Sequence, residues 1–199
     1  MMSYSEMFSQ LPAPIFLARF DTAISSFVAQ NTSPAVERLA WVVTTAGDTH
    51  VVAALGVMVG LGFLIFKRWR MSAVMLLSVG STVVAILIIK NLFLRNRPGS
   101  ALEVIIDDPS FPSGHAGLAA AFFLAAVYIG TSFISTKAGR MIWTIVCGVA
   151  VLAIGLSRII LNVHWASDVI VGWAIGLFLV ICSIIFVKYL ERSILKKQM

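Results

Sequence analysis

Long apolar runs alternate with short polar stretches along the chain, and this pattern predicts an all-α membrane protein. Five runs each approach the length of about 20 residues that crosses the hydrocarbon core as a helix. We expect polar flanking residues to extend the shorter ones. Two runs also carry glycine pairs four residues apart (Gly56 with Gly60, and Gly172 with Gly176), which favour close helix packing. The five runs are residues 50–66, 71–89, 116–133, 141–156 and 169–187.

The N-terminal part is less apolar. Residues 15–30 are interrupted by Arg19, Asp21 and Gln30, which is typical of an amphipathic helix lying at the membrane interface. A second amphipathic segment, residues 33–45, follows. We therefore predict an integral membrane helical bundle of five to six transmembrane helices, preceded by amphipathic helices. The count is six only if residues 15–30 also cross.

The same pattern predicts three regions along the chain. Residues 1–48 form an N-terminal amphipathic segment, residues 49–190 a membrane domain, and residues 191–199 a basic cytoplasmic tail. The N-terminus lacks a basic region followed by an apolar one, so no cleaved signal peptide is expected.

Composition agrees with a single membrane domain. Of the 199 residues, 59% are hydrophobic and only 12% are charged, with a formal net charge of +6. Most lysines and arginines flank apolar runs, where membrane topology explains them, so the charge does not indicate nucleic-acid binding. Cys147 and Cys182 lie inside apolar runs. They read as small buried side chains, not as a disulfide or a metal site.

The distribution of basic residues predicts the orientation. Residues 67–70, residues 137–140 and the C-terminus are rich in lysine and arginine and fall on one side of the predicted bundle. The positive-inside rule places that side in the cytoplasm. Residues 90–115 and 157–168 then face outward, and three polar stretches meet on the outer face.

One of these stretches, residues 157–168, carries Arg158, His164 and Asp168. If a helix begins near this point, the four-residue spacing puts His164 and Asp168 on one face. The carboxylate can then fix the imidazole tautomer and leave the other ring nitrogen free to attack. Arg158 offers a planar fork of donors for an oxyanion. A helix end with an ordinary His–Asp pair and an interfacial arginine fits these residues equally well.

The stretch after the second run supplies more positive charge. Lys90 and Arg97 are seven residues apart, so a continuous helix would place them on one face. Pro98 disfavours helix at Arg97 and begins a loop. A cluster of interfacial basic side chains at a helix end is the alternative interpretation of this stretch, and we expect it to hold for Arg95.

The third stretch, Pro112-Ser113-Gly114-His115, directly precedes the third run. A helix N-terminus presents free backbone N–H groups and suits an anion. Ser113 can cap the helix or donate to a phosphate oxygen, and Gly114 lets the backbone approach a ligand. A plain serine cap beside an uninvolved histidine is the alternative.

Together the stretches provide three cations, backbone donors and two histidines, which suits a phosphate group. The two histidines allow a nucleophile and a general acid. One feature of the sequence distinguishes the two histidines: the carboxylate four residues after His164 favours His164 as the nucleophile. Glu103, Asp107 and Asp108 lie between the first two stretches. They either tune access to the site or are simply solvated loop acids, and we expect the second.

These motifs resemble the three motifs of the type 2 phosphatidic acid phosphatase (PAP2) superfamily, in the same order and spacing. That superfamily includes bacterial membrane lipid phosphatases and soluble vanadium haloperoxidases. The resemblance covers residues 50–190 and leaves the first 48 residues undiagnosed. The matching elements are Lys90-x6-Arg97-Pro98, Pro112-Ser113-Gly114-His115 and Ser157-Arg158-x5-His164-x3-Asp168.

The resemblance implies a role for each residue. His164 is the nucleophile on phosphorus, Asp168 orients it, and His115 protonates the leaving group and then activates water. No cofactor or metal is implied. The residues implied to hold the phosphoryl oxygens are Lys90, Arg97, Ser113, Gly114 and Arg158.

The resemblance and the topology together imply a lipid mono- or diphosphate phosphatase of the bacterial cytoplasmic (inner) membrane, with its site facing outward. Undecaprenyl diphosphate is the favoured substrate, and phosphatidylglycerophosphate and phosphatidic acid stay open. The expected partners are the lipid phosphate and membrane lipids, with no nucleic acid; the oligomeric state is open. A lipid phosphotransferase, an anion transporter lined by the cations and an inactive scaffold are the rival interpretations.

Overall fold

The computed structural model describes residues 15–99 and 108–198. Within these residues the chain forms helices and no strands, as the sequence predicts. Seven helices follow one another in the described residues. They are α1 (Ile15–Asn31), α2 (Pro34–Ala46), α3 (Thr49–Ile65), α4 (Trp69–Leu92), α5 (Gly114–Gly130), α6 (Lys137–Ile160) and α7 (Ala166–Gln198).

Each of the five apolar runs forms a helix, α3 to α7. In the described part of the chain, four stretches are long and apolar enough to cross a membrane, and α5 is a shorter apolar helix. Helix α1 is not among these stretches. The four stretches are Pro34–Ile65, Trp69–Leu92, Lys137–Ile160 and Ala166–Lys196.

Helix α5 lies at the centre of the bundle and packs against α3, α4, α6 and α7. Five of its six alanines are buried, which lets neighbouring backbones approach closely. A Cβ atom on Gly172 would lie 2.6 Å from the carbonyl oxygen of Ser113, and one on Gly176 would overlap the carbonyl oxygen of Gly117. The predicted close packing at this glycine pair is therefore confirmed, and it joins α7 to α5.

The outer surface of the bundle is apolar. Large hydrophobic side chains such as Leu61, Val84, Val149 and Phe178 are exposed on α3, α4, α6 and α7. A soluble protein rarely exposes so much contiguous apolar surface, whereas lipid tails cover it at no cost. The protein is therefore a multi-pass membrane protein. Helices α1 and α2 pack on the outside of this bundle, α1 against α6 and α7 and α2 against α6.

Candidate active site

The polar stretches converge at one end of the bundle. This end holds the C-termini of α4 and α6 and the N-termini of α5 and α7, since successive helices alternate in direction. His115 lies close enough to His164, Arg158 and Lys90 to interact with them electrostatically. Arg97 is similarly close to His164. One cluster thus contains residues from all three predicted motifs.

A tight turn between α6 and α7 carries His164. Asn162 follows the end of α6 in the left-handed conformation, with φ 52°, as asparagine often does after a helix C-terminus. The amides of Val163 and His164 then donate to the carbonyl oxygen of Arg158, at 3.2 and 3.3 Å. Helix α7 begins only at Ala166. His164 therefore precedes the helix, and the expectation of a shared helical face with Asp168 was wrong.

The His164–Asp168 pair nevertheless forms, across the turn. Nδ1 of His164 lies 3.5 Å from Oδ2 of Asp168, an ion-pair distance longer than an ordinary hydrogen bond. The same oxygen accepts the amide of Trp165 at 3.0 Å, and the backbone carbonyl of Asp168 accepts the amide of Ser113 at 3.0 Å. Both side chains of the pair are buried. The carboxylate is thus fixed on one side of the imidazole.

The other ring nitrogen faces the cations. Nε2 of His164 lies 3.1 Å from Nη1 of Arg97. Burial lowers the pKa of His164 well below its ordinary value, and the guanidinium groups of Arg97 and Arg158 lower it further. The imidazole is therefore uncharged at neutral pH and keeps a lone pair. An uncharged imidazole between a carboxylate and a cluster of cations is equipped for nucleophilic attack on an anion.

Lys90 and Arg97 meet through Asp108 and not through a shared helical face. Helix α4 ends at Leu92, so the continuous helix considered from the sequence does not reach Arg97. Nζ of Lys90 donates to the Asp108 carboxylate and, at 2.8 Å, to the carbonyl oxygen of Pro109. Nε of Arg97 donates to the Asp108 carbonyl oxygen at 3.0 Å, and its Nη2 lies 3.5 Å from the carboxylate.

Asp108 is consequently part of the cluster and is more than the solvated loop acid that was expected. Its carboxylate touches two cations while its side chain stays 54% exposed. A carboxylate that bridges two cations occupies a position suited to a phosphate oxygen. Glu103 and Asp107, the other two acids of this loop, lie outside the described residues.

Arg158 projects from the C-terminal end of α6 and is buried. Its Nη1 donates to Oγ1 of Thr44 on α2, at 2.7 Å. Its Nε has no hydrogen-bond partner within the described part of the chain. Because a buried guanidinium donor without a partner is costly, this nitrogen is well suited to receive an anion.

The N-terminus of α5 forms the remaining wall. Ser113 is the N-cap, and its Oγ accepts the amide of Ala116 at 3.5 Å; Gly114 is the first helical residue. His115 follows, with Nδ1 3.1 Å from Oγ1 of Thr49 and Nε2 3.9 Å from Oδ2 of Asp48. The serine is thus a cap, but the histidine beside it belongs to the cluster.

Sequence reasoning missed the role of Arg95, whose guanidinium binds two acids. Its Nη1 donates to Oδ1 of Asp168 at 2.6 Å, and its Nη2 donates to Oδ2 of Asp21 at 2.7 Å. Asp21 comes from α1, far away in sequence. The sequence signal for this contact is that Asp21 interrupts the apolar run of residues 15–30. Nothing in the sequence indicates that its partner is Arg95.

A family model and two curated relatives match this chain. The family model described as the PAP2 superfamily matches residues 67–192. A curated relative, phosphatidylglycerophosphatase B of Bacillus subtilis, is 29% identical over 161 residues, which cover 80% of this chain and 79% of the relative. An undecaprenyl-diphosphatase of Sulfolobus acidocaldarius is 32% identical over 130 residues, covering 61% of this chain and 58% of the relative.

Two solved structures share the fold. The crystal structure of a transmembrane PAP2 type phosphatidylglycerolphosphate phosphatase from Bacillus subtilis matches with a TM-score of 0.77 and 27% identity, covering 96% of this chain and 94% of that chain. The structure of Aquifex aeolicus LpxE matches with a TM-score of 0.62 over 82% of this chain and 93% of that chain. At 21% identity the second match supports the fold alone.

Proposed function

The chain belongs to the PAP2 superfamily and is a phosphatase, a hydrolase of phosphoric esters, and from this premise we propose that it hydrolyses a lipid phosphate through a phosphohistidine intermediate. The observation that carries the mechanism is the environment of His164. One ring nitrogen of this buried imidazole faces Asp168 and the other faces Arg97. The catalytic domain that we propose comprises residues 49–190, and side chains from α1 and α2 contact residues of its site.

In the first step Nε2 of His164 attacks phosphorus, and the bond from phosphorus to the leaving oxygen breaks. The imidazole becomes positively charged, and Asp168 stabilises that charge from the Nδ1 side. His115 donates a proton to the leaving oxygen, so the departing lipid leaves as a neutral alcohol or, from a diphosphate, as a protonated monophosphate.

The cations stabilise the charge that builds up on the phosphoryl oxygens. Lys90, Arg97 and Arg158 lie close enough to His164 to interact with it electrostatically, and the Ser113 hydroxyl with the Gly114 amide adds donors at the start of α5. In the second step His115, now unprotonated, removes a proton from water. The water oxygen attacks phosphorus and the N–P bond breaks. Inorganic phosphate is released, and free His164 is regenerated.

For the substrate we propose a phosphate-bearing membrane lipid, with phosphatidylglycerophosphate ranked first. The sequence alone favoured undecaprenyl diphosphate. The order changes because the relative and the solved structure with the wider coverage of this chain are named for phosphatidylglycerophosphate. Undecaprenyl diphosphate remains the second candidate, supported by the 32% identical relative. The basic loops support an orientation with the site on the outer face of the bacterial cytoplasmic membrane.

The first test is phosphate release by the purified protein in detergent with a chelator present. We expect release from phosphatidylglycerophosphate to continue undiminished, because three side-chain cations supply the charge that a metal ion supplies in other phosphatases. Undecaprenyl diphosphate and phosphatidic acid are assayed in parallel, and the ranking of kcat/KM names the lipid. Loss of release on chelation would contradict the metal-independent mechanism.

The same assay separates hydrolysis from phosphoryl transfer. A transferase of this family would use the same residues but pass the phosphoryl group to a second lipid. We expect inorganic phosphate to equal the substrate consumed, with or without an added acceptor lipid. Phosphate that appears only on a lipid acceptor would instead identify a transferase, and no reaction with any of the three lipids would favour transport.

Asp108→Asn tests the carboxylate that bridges Lys90 and Arg97. The incoming phosphate must displace this carboxylate to reach both cations, so removing its charge removes a competitor. We expect KM to fall by about 3- to 10-fold, corresponding to about 1 kcal/mol, with kcat within about twofold. A rise in KM would instead mean that Asp108 holds the two cations in place for the substrate.

A further inference from the structure

We propose that Asp21 and Arg95 are positioning residues for the reaction: they orient the Asp168 carboxylate and leave its negative charge available to His164. The inference rests on the proposed function of His164. It adds a residue from α1, a helix outside the residues that match the family model.

Asp21 is a buried acid with a complete set of partners. Its side chain is 1% exposed, although it lies on an amphipathic helix at the outside of the bundle. Oδ1 accepts the amide of Ser167 at 2.9 Å, and Oδ2 accepts the Ser167 hydroxyl at 2.6 Å. The residue held in this way lies between Trp165 and Asp168, in the first turn of α7. Asp21 therefore fixes the backbone that carries the catalytic carboxylate.

Arg95 connects this acid to the catalytic carboxylate. Its two terminal nitrogens bind different acids, Asp168 at 2.6 Å and Asp21 at 2.7 Å, and Nη1 also donates to the Ser167 hydroxyl at 2.8 Å. The guanidinium lies 5.4 Å from the centre of the Trp165 ring. Because Arg95 occupies Oδ1 of Asp168, the other oxygen, Oδ2, is left to face the Trp165 amide and His164.

The charges explain why two acids are needed. Arg95 alone would neutralise Asp168 and weaken its stabilisation of the imidazolium that forms on phosphoryl transfer. Asp21 binds the other terminal nitrogen of the guanidinium, so Asp21, Arg95 and Asp168 together carry a net charge of about −1. Asp168 is the member of this group that faces His164. Arg95 can then orient Asp168 without cancelling its effect. Breaking such a buried pair by removing one partner leaves an uncompensated charge.

A second contact attaches α1 to the other end of the same turn. The Ser25 hydroxyl donates to Oδ1 of Asn162 at 2.7 Å, one helical turn beyond Asp21 on α1. Asn162 is the left-handed residue that reverses the chain before His164. Helix α1 therefore holds the catalytic turn at both ends, and the N-terminal segment completes the site.

The test compares Asp21→Asn, Arg95→Gln and the double variant in the full-length protein, with phosphate release from phosphatidylglycerophosphate and from undecaprenyl diphosphate. We expect Asp21→Asn to lower kcat by about 10- to 100-fold while KM stays within about twofold, because a misplaced catalytic group lowers the rate more than binding. The double variant should lose less than the two single fold-changes multiplied together, since Asp21 and Arg95 belong to one network around Ser167 and Asp168. Additive losses would overturn the proposal.

Two further variants separate charge from helix docking. Thr22→Ala removes a hydroxyl that bonds only to its own helix, at the Ala18 carbonyl oxygen, and should match the wild type. Ser25→Ala breaks the other attachment of α1 without changing any charge, and we expect a loss below about threefold. If Ser25→Ala reduces kcat as strongly as Asp21→Asn, docking and not charge is responsible, and the proposal fails.

Amide hydrogen exchange gives a readout that does not depend on the substrate. Asp21→Asn should speed exchange at Trp165, Ser167 and Asp168 at least tenfold, with no comparable change in α5. If the wild type releases no phosphate from either lipid, the proposed function fails, and exchange still decides whether Asp21 positions this turn. Wild-type exchange rates in Asp21→Asn, or wild-type kcat in an active protein, would overturn the inference.

Discussion

His164→Ala is expected to lower the rate of phosphate release by at least about 10⁴-fold, equivalent to about 5.5 kcal/mol of transition-state stabilisation. The reason is that no other described side chain lies between a buried carboxylate and the cations with a free nitrogen directed at them. The measurement is phosphate release in detergent from each lipid, together with trapping of labelled phosphate on the protein. The wild type should give an acid-labile, alkali-stable adduct, as expected for phosphohistidine, and the variant should give none.

The chain contains a matched control. His50 is the remaining histidine, and its side chain is 96% exposed on α3. His50→Ala should retain the wild-type rate and the adduct. Thermal unfolding of both variants in detergent shows whether the bundle is intact. Full activity in a folded His164→Ala protein would remove His164 as the nucleophile, and an adduct that persists there would direct the search to His115.

The motif residues could be found from the sequence because chemistry and topology restrict them. Polar side chains at the ends of apolar runs are few, and the alternating direction of the helices collects them at one end of the bundle. That reasoning brought Lys90, Arg97, His115, Arg158 and His164 to one cluster, and the structure has them together. The end of α4 before Arg97 agrees with the expected effect of Pro98. The shared helical face for His164 and Asp168 was wrong, because α7 begins after His164.

Contacts between distant parts of the chain were beyond sequence reasoning. Thr44, Asp48 and Thr49 contact Arg158 and His115 from α2 and the start of α3. Asp21 reaches Ser167 across 146 positions. Nothing in the local pattern of these residues specifies the helix against which they pack. They all lie on or beside the N-terminal segment, where the sequence carried no motif.

The glycine pair on α7 links the packing of the bundle to the geometry of the site. Because Gly172 has no side chain, α7 can approach the carbonyl oxygen of Ser113 at the start of α5. At the same level the Ser113 amide donates to the backbone carbonyl of Asp168. The close helix contact therefore sets the register between the turn that carries His164 and the helix end that carries His115. Such a register requires a residue without a Cβ at this position.

His115→Ala is the second variant with a large expected effect. Removing the general acid should lower phosphate release from a lipid monophosphate by about 10³-fold, because the departing alkoxide then leaves unprotonated. With p-nitrophenyl phosphate, whose leaving group needs no proton near neutrality, formation of phosphohistidine should be nearly unaffected. The second step still lacks its base, so the variant should release about one nitrophenol per site in a burst and then stall with the adduct bound. Equal losses on both substrates, without a burst, would contradict the acid–base role of His115 and leave the histidine beside Thr49 and Asp48 as a phosphate-binding group.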